Sequence, residues 1–227
     1  MENKQTPEHL GADVEDIGDL LKKIEKSYNI AFIKDELKDV RTFGELCDII
    51  IGKIKLIDED DCTRQQAFYK LRKAIVSVTG IDEAEVRLET NLVGLFPREN
   101  RRKKVKDLER ELGFKLSILR PHAALFTSGI ILFLLSLLTF FYKWEYAVAG
   151  IIVSCLYMFI IQKTRKELIR INVKELAEKI TWEHYMASRR NPQTVNRKEI
   201  VKEIEKMFLK YLMTDLKKIN RETVIVD

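Results

Sequence analysis

The sequence predicts an all-α protein that carries a transmembrane α-hairpin. Two uncharged runs lie in the second half of the chain, apolar residues elsewhere recur at helical spacing, and helix-start signals precede several of these stripes. The 227 residues include 33% charged side chains and carry a formal charge of +5. That average looks soluble and conceals the two runs, so the distribution of charge matters more than its total.

Along the chain, Ile17, Leu20, Leu21, Ile24 and Tyr28 mark a first amphipathic helix. Thr42 stands three residues before Glu45, a spacing that lets the two side chains satisfy each other's backbone amides at a helix start. Phe43, Leu46, Ile50 and Ile54 then form a stripe. The pairs Thr63/Gln66, Asn172/Glu175 and Asn196/Glu199 repeat the signal. They open stripes at Phe68, Leu71, Ile75 and Val78, at Val173, Leu176, Ala177 and Ile180, and at Ile200, Ile204, Phe208 and Leu212. Val105, Leu108 and Leu112 give one more helix. No long stretch alternates with period two; residues 29–33 and 114–118 fit short extended pieces after helices. Residues 186–195, polar and containing Pro192, are expected to be a linker.

Residues 123–142, AALFTSGIILFLLSLLTFFY, contain no charge, and neither do residues 147–161, AVAGIIVSCLYMFII. About twenty apolar residues cross a bilayer core, so the second run must borrow from residues 144–146 or tilt. A hairpin buried in a soluble core is the competing reading, but core helices seldom lack a polar face for this long. The runs begin too far along the chain for a secretory signal. Tyr142, Trp144 and Tyr146 cluster at the turn, as interfacial aromatics do. Arg120 precedes the first run, and Lys163, Arg165, Lys166 and Arg170 follow the second. The positive-inside tendency then puts both flanks and both termini in the cytoplasm, in a two-pass protein of the cytoplasmic (inner) membrane, with two transmembrane helices over 123–162.

Signals for chemistry are sparse. Cys47, Cys62 and Cys155 have neither metal-ligand spacing nor a paired framework. His9, His122 and His184 are isolated, and no glycine-rich phosphate loop or nucleophile–base grouping occurs. Glu109 and Glu111 fit solvated helix charge. No ionisable residue sits within the runs, which argues against an ion or proton pathway. The basic residues lack the aromatic interleaving of nucleic-acid binders.

The soluble segments resemble acyl carrier proteins, a four-helix fold whose Asp-Ser-Leu motif at the second helix carries 4′-phosphopantetheine. FYKLRKAIVSVTGIDEAEVRLETNLVGLF resembles the first helix and its long loop, VKDLERELGFKLSI the second helix, and KELIRINVKELAEKI a later segment. Residues 64–119 with 164–183 thus resemble one copy, interrupted by the hairpin. Residues 11–55, including TFGEL, resemble a copy that lacks its first helix, while residues 196–227 resemble a first helix with nothing after it. Joined, 11–55 and 196–227 make a second, circularly permuted bundle. The resemblance implies two acyl-carrier-like four-helix bundles, closed within one chain or, by exchange, in a homodimer.

In the aligned runs GADVEDIG and FPRENRR, Val14 and Arg98 stand where the carrier serine belongs. Valine has no hydroxyl and arginine cannot accept a phosphate, so neither copy is expected to hold the prosthetic group. The first copy keeps the acidic Glu15, Asp16 and Asp19 at that helix, whereas the second has Arg101, Arg102, Lys103 and Lys104. These four are either a solvated helix face or a surface for an anionic partner such as membrane lipid headgroups. The resemblance then implies a non-catalytic, membrane-anchored binding or scaffolding module, without cofactor or metal, that docks a lipid-metabolism enzyme or another carrier. An active tethered carrier using a different serine, and a structural or immunity-type membrane protein, are the alternatives.

Overall fold

The computed structural model describes residues 9–212, 214 and 216–225. It is mostly helical. Its elements are α1 (Val14–Tyr28), α2 (Phe43–Lys53), β1 (Ile57–Asp58), α3 (Thr63–Thr79), α4 (Leu92–Leu95), α5 (Arg101–Leu112), β2 (Leu119–Arg120), α6 (Ala123–Leu138), α7 (Trp144–Lys163), β3 (Glu167–Leu168), α8 (Val173–Glu183), α9 (Tyr185–Ser188), β4 (Thr194–Val195) and α10 (Arg197–Tyr211). Short 3₁₀ turns occupy Glu83–Glu85 and Thr139–Phe141. The chain divides into two units, one formed by the described residues of Met1–Leu71 with Lys174–Asp227, the other by Arg72–Val173. The boundary falls inside α3 and at the start of α8, so it does not follow the expected division at 64–119 with 164–183.

In the first unit, the core is built from the two ends of the chain. Leu20, Ile24 and Tyr28 of α1, Phe43, Leu46 and Ile50 of α2, and Ile200, Ile204, Met207 and Phe208 of α10 are all buried in one cluster. Phe43 meets Phe208 edge to face, with centroids 5.3 Å apart, and Tyr28 stacks on Tyr185 at 4.9 Å. Such pairs add about 0.5–1.5 kcal/mol beyond area burial. The Thr42–Glu45 box forms as the sequence predicts: Thr42 accepts from the Glu45 amide while the Glu45 carboxylate accepts from the amides of Arg41 and Thr42. Those backbone donors hold the Glu45 carboxyl below its ordinary range.

The segment expected to be a linker, 186–195, is instead folded. It supplies most of α9 and then β4, which pairs in parallel with β1, and it buries Ser188, Arg189, Thr194 and Val195. Polar composition misled because the polar groups bond to one another rather than to water.

In the second unit, β2 and β3 pair antiparallel, Leu119 with Leu168 and Arg120 with Glu167. This short ribbon closes the base of the α6–α7 hairpin. With the turn Thr139–Phe141, α6 runs over Ala123–Phe141; α7 begins at Trp144, taking in the three residues that the second uncharged run needs. The helices approach closely at small residues: a Cβ on Gly150 would lie 2.6 Å from Ser136 Cβ. Ser136 and Ser154 return their hydroxyls to the carbonyls of Phe133 and Ile151, and Ser128 bonds Tyr157 at 2.8 Å, so these polar groups are satisfied without water.

Two local geometries occur twice. Glu25 of α1 accepts from the Phe32 amide seven residues on, and Glu109 of α5 accepts from the Leu116 amide in the same way; Asn29 and Gly113, both left-handed, end those helices. At the other recurrence, Thr223 and Thr90 each accept from the amide three residues earlier, Asn220 or Arg87. Their carbonyls then receive the first amide of a helix, Phe43 from α2 or Val173 from α8. Gly44 makes room for the first loop: a Cβ there would meet the Arg221 carbonyl at 2.8 Å.

Candidate functional site

The repeated bonds bring two helix starts into register. A shift of 84 residues carries Glu25 onto Glu109 and equally carries Val14 onto Arg98. Val14 is the first residue of α1 and is 72% exposed. Arg98, exposed in the loop before α5, donates to Glu167 at 2.7 Å. Neither offers a hydroxyl. The residues present do not fit attachment of a phosphopantetheine arm at these two positions.

The same shift carries the buried Ile17 onto Arg101, and this separates Arg101 from the basic run in which the sequence placed it. Arg101 is 5% exposed; its guanidinium donates to the carbonyls of Phe96 at 2.9 Å and Lys166 at 3.0 Å and lies 3.6 Å from Glu167. It is a strut tying α5 to the base of the hairpin and is not available to a partner. The signal was present in the sequence: Arg101, Val105, Leu108 and Leu112 follow one helical stripe. Arg102 and Lys103 are exposed, and Lys104 is half-buried. The α1 start carries Glu15 and Asp16, which suit the positive end of a helix, whereas α5 begins with cations that oppose it.

A second polar cluster, unmarked by any motif, lies in the first unit around Arg189. Its side chain is fully buried. It donates to Thr63 Oγ1 and Thr194 Oγ1, each at 2.8 Å, and pairs with Asp61 at 2.6 Å. Thr63, the opening residue of α3, donates in turn to the Tyr185 hydroxyl at 3.1 Å, and Tyr185 receives the Asn196 amide at the same distance. Asn196 caps α10 and also donates to the Asp61 carbonyl at 2.8 Å. Glu199 accepts the Thr63 amide at 3.0 Å. The start of α3 and the start of α10 are thus locked together by one buried guanidinium and one buried phenol. Burial raises the Tyr185 hydroxyl above its ordinary pKa, which keeps it protonated and able to donate.

Beside this cluster, Glu59, Asp61, Cys62, Gln66, Tyr69 and Arg190 line an open depression. Gln66 uses its amide on Asp61 and on the Arg190 backbone, so the walls bond one another. Cys62 is exposed, whereas burial pushes the Cys47 thiol up to about 12. Among the described residues no group of three or more His, Cys, Asp or Glu is placed to hold a metal ion.

Together these features define a class: a mostly helical protein with two helices long and apolar enough to cross a membrane. Compared with protein-family models, curated proteins and solved structures, the chain finds no match.

Proposed function

We propose that the chain is a two-pass membrane protein whose soluble helices form degenerate carrier-like bundles and serve as a docking module. The observation that carries the docking reading is the register just described. In the resemblance Val14 and Arg98 stand where a carrier needs its serine, and the matching bonds of Glu25 and Glu109, 84 residues apart, support that alignment. A retained fold without its attachment group leaves recognition as the remaining task, and an enzyme or carrier of lipid metabolism at the cytoplasmic face of the membrane is the partner class. The permuted bundle draws support from α1, α2 and α10 sharing one core.

Membrane insertion draws support from exposure. Only 11% and 17% of the most apolar stretches of the two helices are buried, and Phe140, Phe141, Leu138 and Phe159 stand open at 59–90%. A soluble monomer rarely tolerates such a patch. No charged residue occurs in residues 123–142 or 147–161, which suits insertion.

Two measurements test the reading. Coexpressed with an active phosphopantetheinyl transferase, the intact protein should keep its sequence mass; an added arm on any serine makes it an active carrier instead. In intact membranes, a soluble maleimide should label Cys62 readily and leave Cys155 unlabelled until detergent is added. Cys155 is exposed on α7, so only lipid would shield it. Cys47 should stay silent until unfolding, because its protonated, buried thiol is no nucleophile. Equal labelling of Cys62 and Cys155 in membranes removes the anchor from the proposal.

A further inference from the structure

The segments that flank the base of the hairpin carry exposed cations that form no ion pair among the described residues. We infer that these cations bind the anionic phospholipid headgroups of the leaflet they adjoin, and so fix how the second unit meets the membrane. The inference rests on the hairpin being inserted as proposed above.

Three observations converge. The first is position. Lys163 ends α7, Arg165 and Lys166 follow at once, and Arg120 lies in the strand just before α6. All four are exposed. The second is the way α5 is attached. Arg101 reaches the Lys166 carbonyl and Arg98 reaches Glu167, which holds the first turn of α5 within a few residues of the end of the span. Arg102 and Lys103, next on that turn, are thereby carried to the same level. The third is charge balance. The nearby carboxylates are Glu99 and Glu167, and Glu167 is already held between Arg98 and Arg101. Among the described residues, Arg102, Lys103, Arg120, Lys163 and Lys166 form no ion pair; Arg165 donates to Gln162.

Chemistry favours a lipid surface over an acidic protein. The cations do not form one helical stripe; they come from three segments, α5, the strand before α6 and the end of α7, and the two-strand ribbon pairs Arg120 with Glu167 beside the last of these. A planar array of phosphates can meet cations from three separate segments at the foot of a span, whereas a protein helix would match a single stripe. Each lysine or arginine near an anionic surface adds about 1 kcal/mol, or about fivefold in association, and loses much of it as salt shortens the screening length.

The test uses the full chain reconstituted in phosphatidylcholine vesicles that contain a minor fraction of phosphatidylglycerol. Spin-labelled phosphatidylglycerol and phosphatidylcholine report, by electron paramagnetic resonance, which lipid the protein holds. The wild type should prefer the anionic lipid by at least about fivefold, the contribution of a single cation, and added salt should weaken that preference. Arg102→Glu with Lys103→Glu should bring it towards unity while circular dichroism stays unchanged, since neither side chain is buried. The milder Arg102→Gln with Lys103→Gln should fall between. Equal selection of both lipids by an alkali-resistant, inserted wild type overturns this inference and leaves the proposed anchor standing. Selection that survives both salt and charge reversal overturns it too, because the binding would then lie elsewhere. Release of the protein from vesicles by alkaline carbonate overturns the anchor itself.

Discussion

Phe208→Ala should destabilise the first unit by about 3–5 kcal/mol, the usual cost of emptying a buried aromatic position. Phe208 is fully buried on α10, against Phe43 of α2. The substitution therefore removes a contact between segments more than a hundred residues apart in sequence. Urea unfolding of the full chain in mild detergent measures it. A Trp144→Phe background leaves Trp182, a member of the same core, as the only tryptophan. A loss below about 1 kcal/mol, the ordinary effect of a random substitution, would mean that α10 does not close over α1 and α2 in solution. The permuted bundle would then fail.

Arg189→Met should cost about 3 kcal/mol, at the lower end of what breaking a buried ion pair costs, because Asp61 keeps some solvent. The methionine occupies similar space but leaves Asp61 without its ion-pair partner and Thr63 and Thr194 without their shared donor. Arg189→Lys keeps the charge and loses the fork, so it should fall between wild type and methionine. Adding Asp61→Asn to Arg189→Met should restore part of the loss, since one uncompensated carboxylate is removed. The same urea experiment decides. A cost within about 0.5 kcal/mol, typical of surface positions, would return residues 186–195 to the status of a linker.

Much of the helical content was legible, and the misses have local causes. The α2 cap and the faces of α1, α2, α8 and α10 follow from apolar spacing and from Thr42 and Glu45. For α3 the spacing chose Phe68 and Val78, yet these are half-buried while Ala67 and Ala74 face inward. Alanine does not stand out in an apolar stripe, so the spacing finds Leu71 and Ile75 of the buried face but not Ala67 and Ala74. Thr63 also misled. Three residues before Gln66 it looks like a cap, but it is the first helical residue, and its hydroxyl belongs to the Arg189 cluster. Asn196 does cap α10, whereas Glu199 turns away from it to receive the Thr63 amide. Both departures come from one long-range junction that no window of sequence contains.

The candidate site divided similarly. The absence of hydroxyls at Val14 and Arg98 is plain from the letters alone, whereas the matching bonds of Glu25 to the Phe32 amide and Glu109 to the Leu116 amide are visible only in the fold. Arg101 was grouped by charge when its stripe marked it for burial. The Arg189 cluster joins residues 59–63, 185–189 and 194–199, three polar stretches that each look like ordinary loop or helix end. Nothing in any of them says that the other two are near.

The arrangement of the first core has a consequence for synthesis. α1 and α2 leave the ribosome early, but their partner α10 follows more than 140 residues later, after both hairpin helices have been made. At common translation rates that interval is roughly ten to thirty seconds. During it, Leu20, Ile24, Phe43 and Ile50 have no aromatic lid from α10. For a hairpin inserted as proposed, the membrane segment is delivered while the leading helices are still open, and the core of the first unit is sealed only afterwards. Nascent chains halted before α10 should stay protease-sensitive within α1 and α2, and those halted beyond it should not.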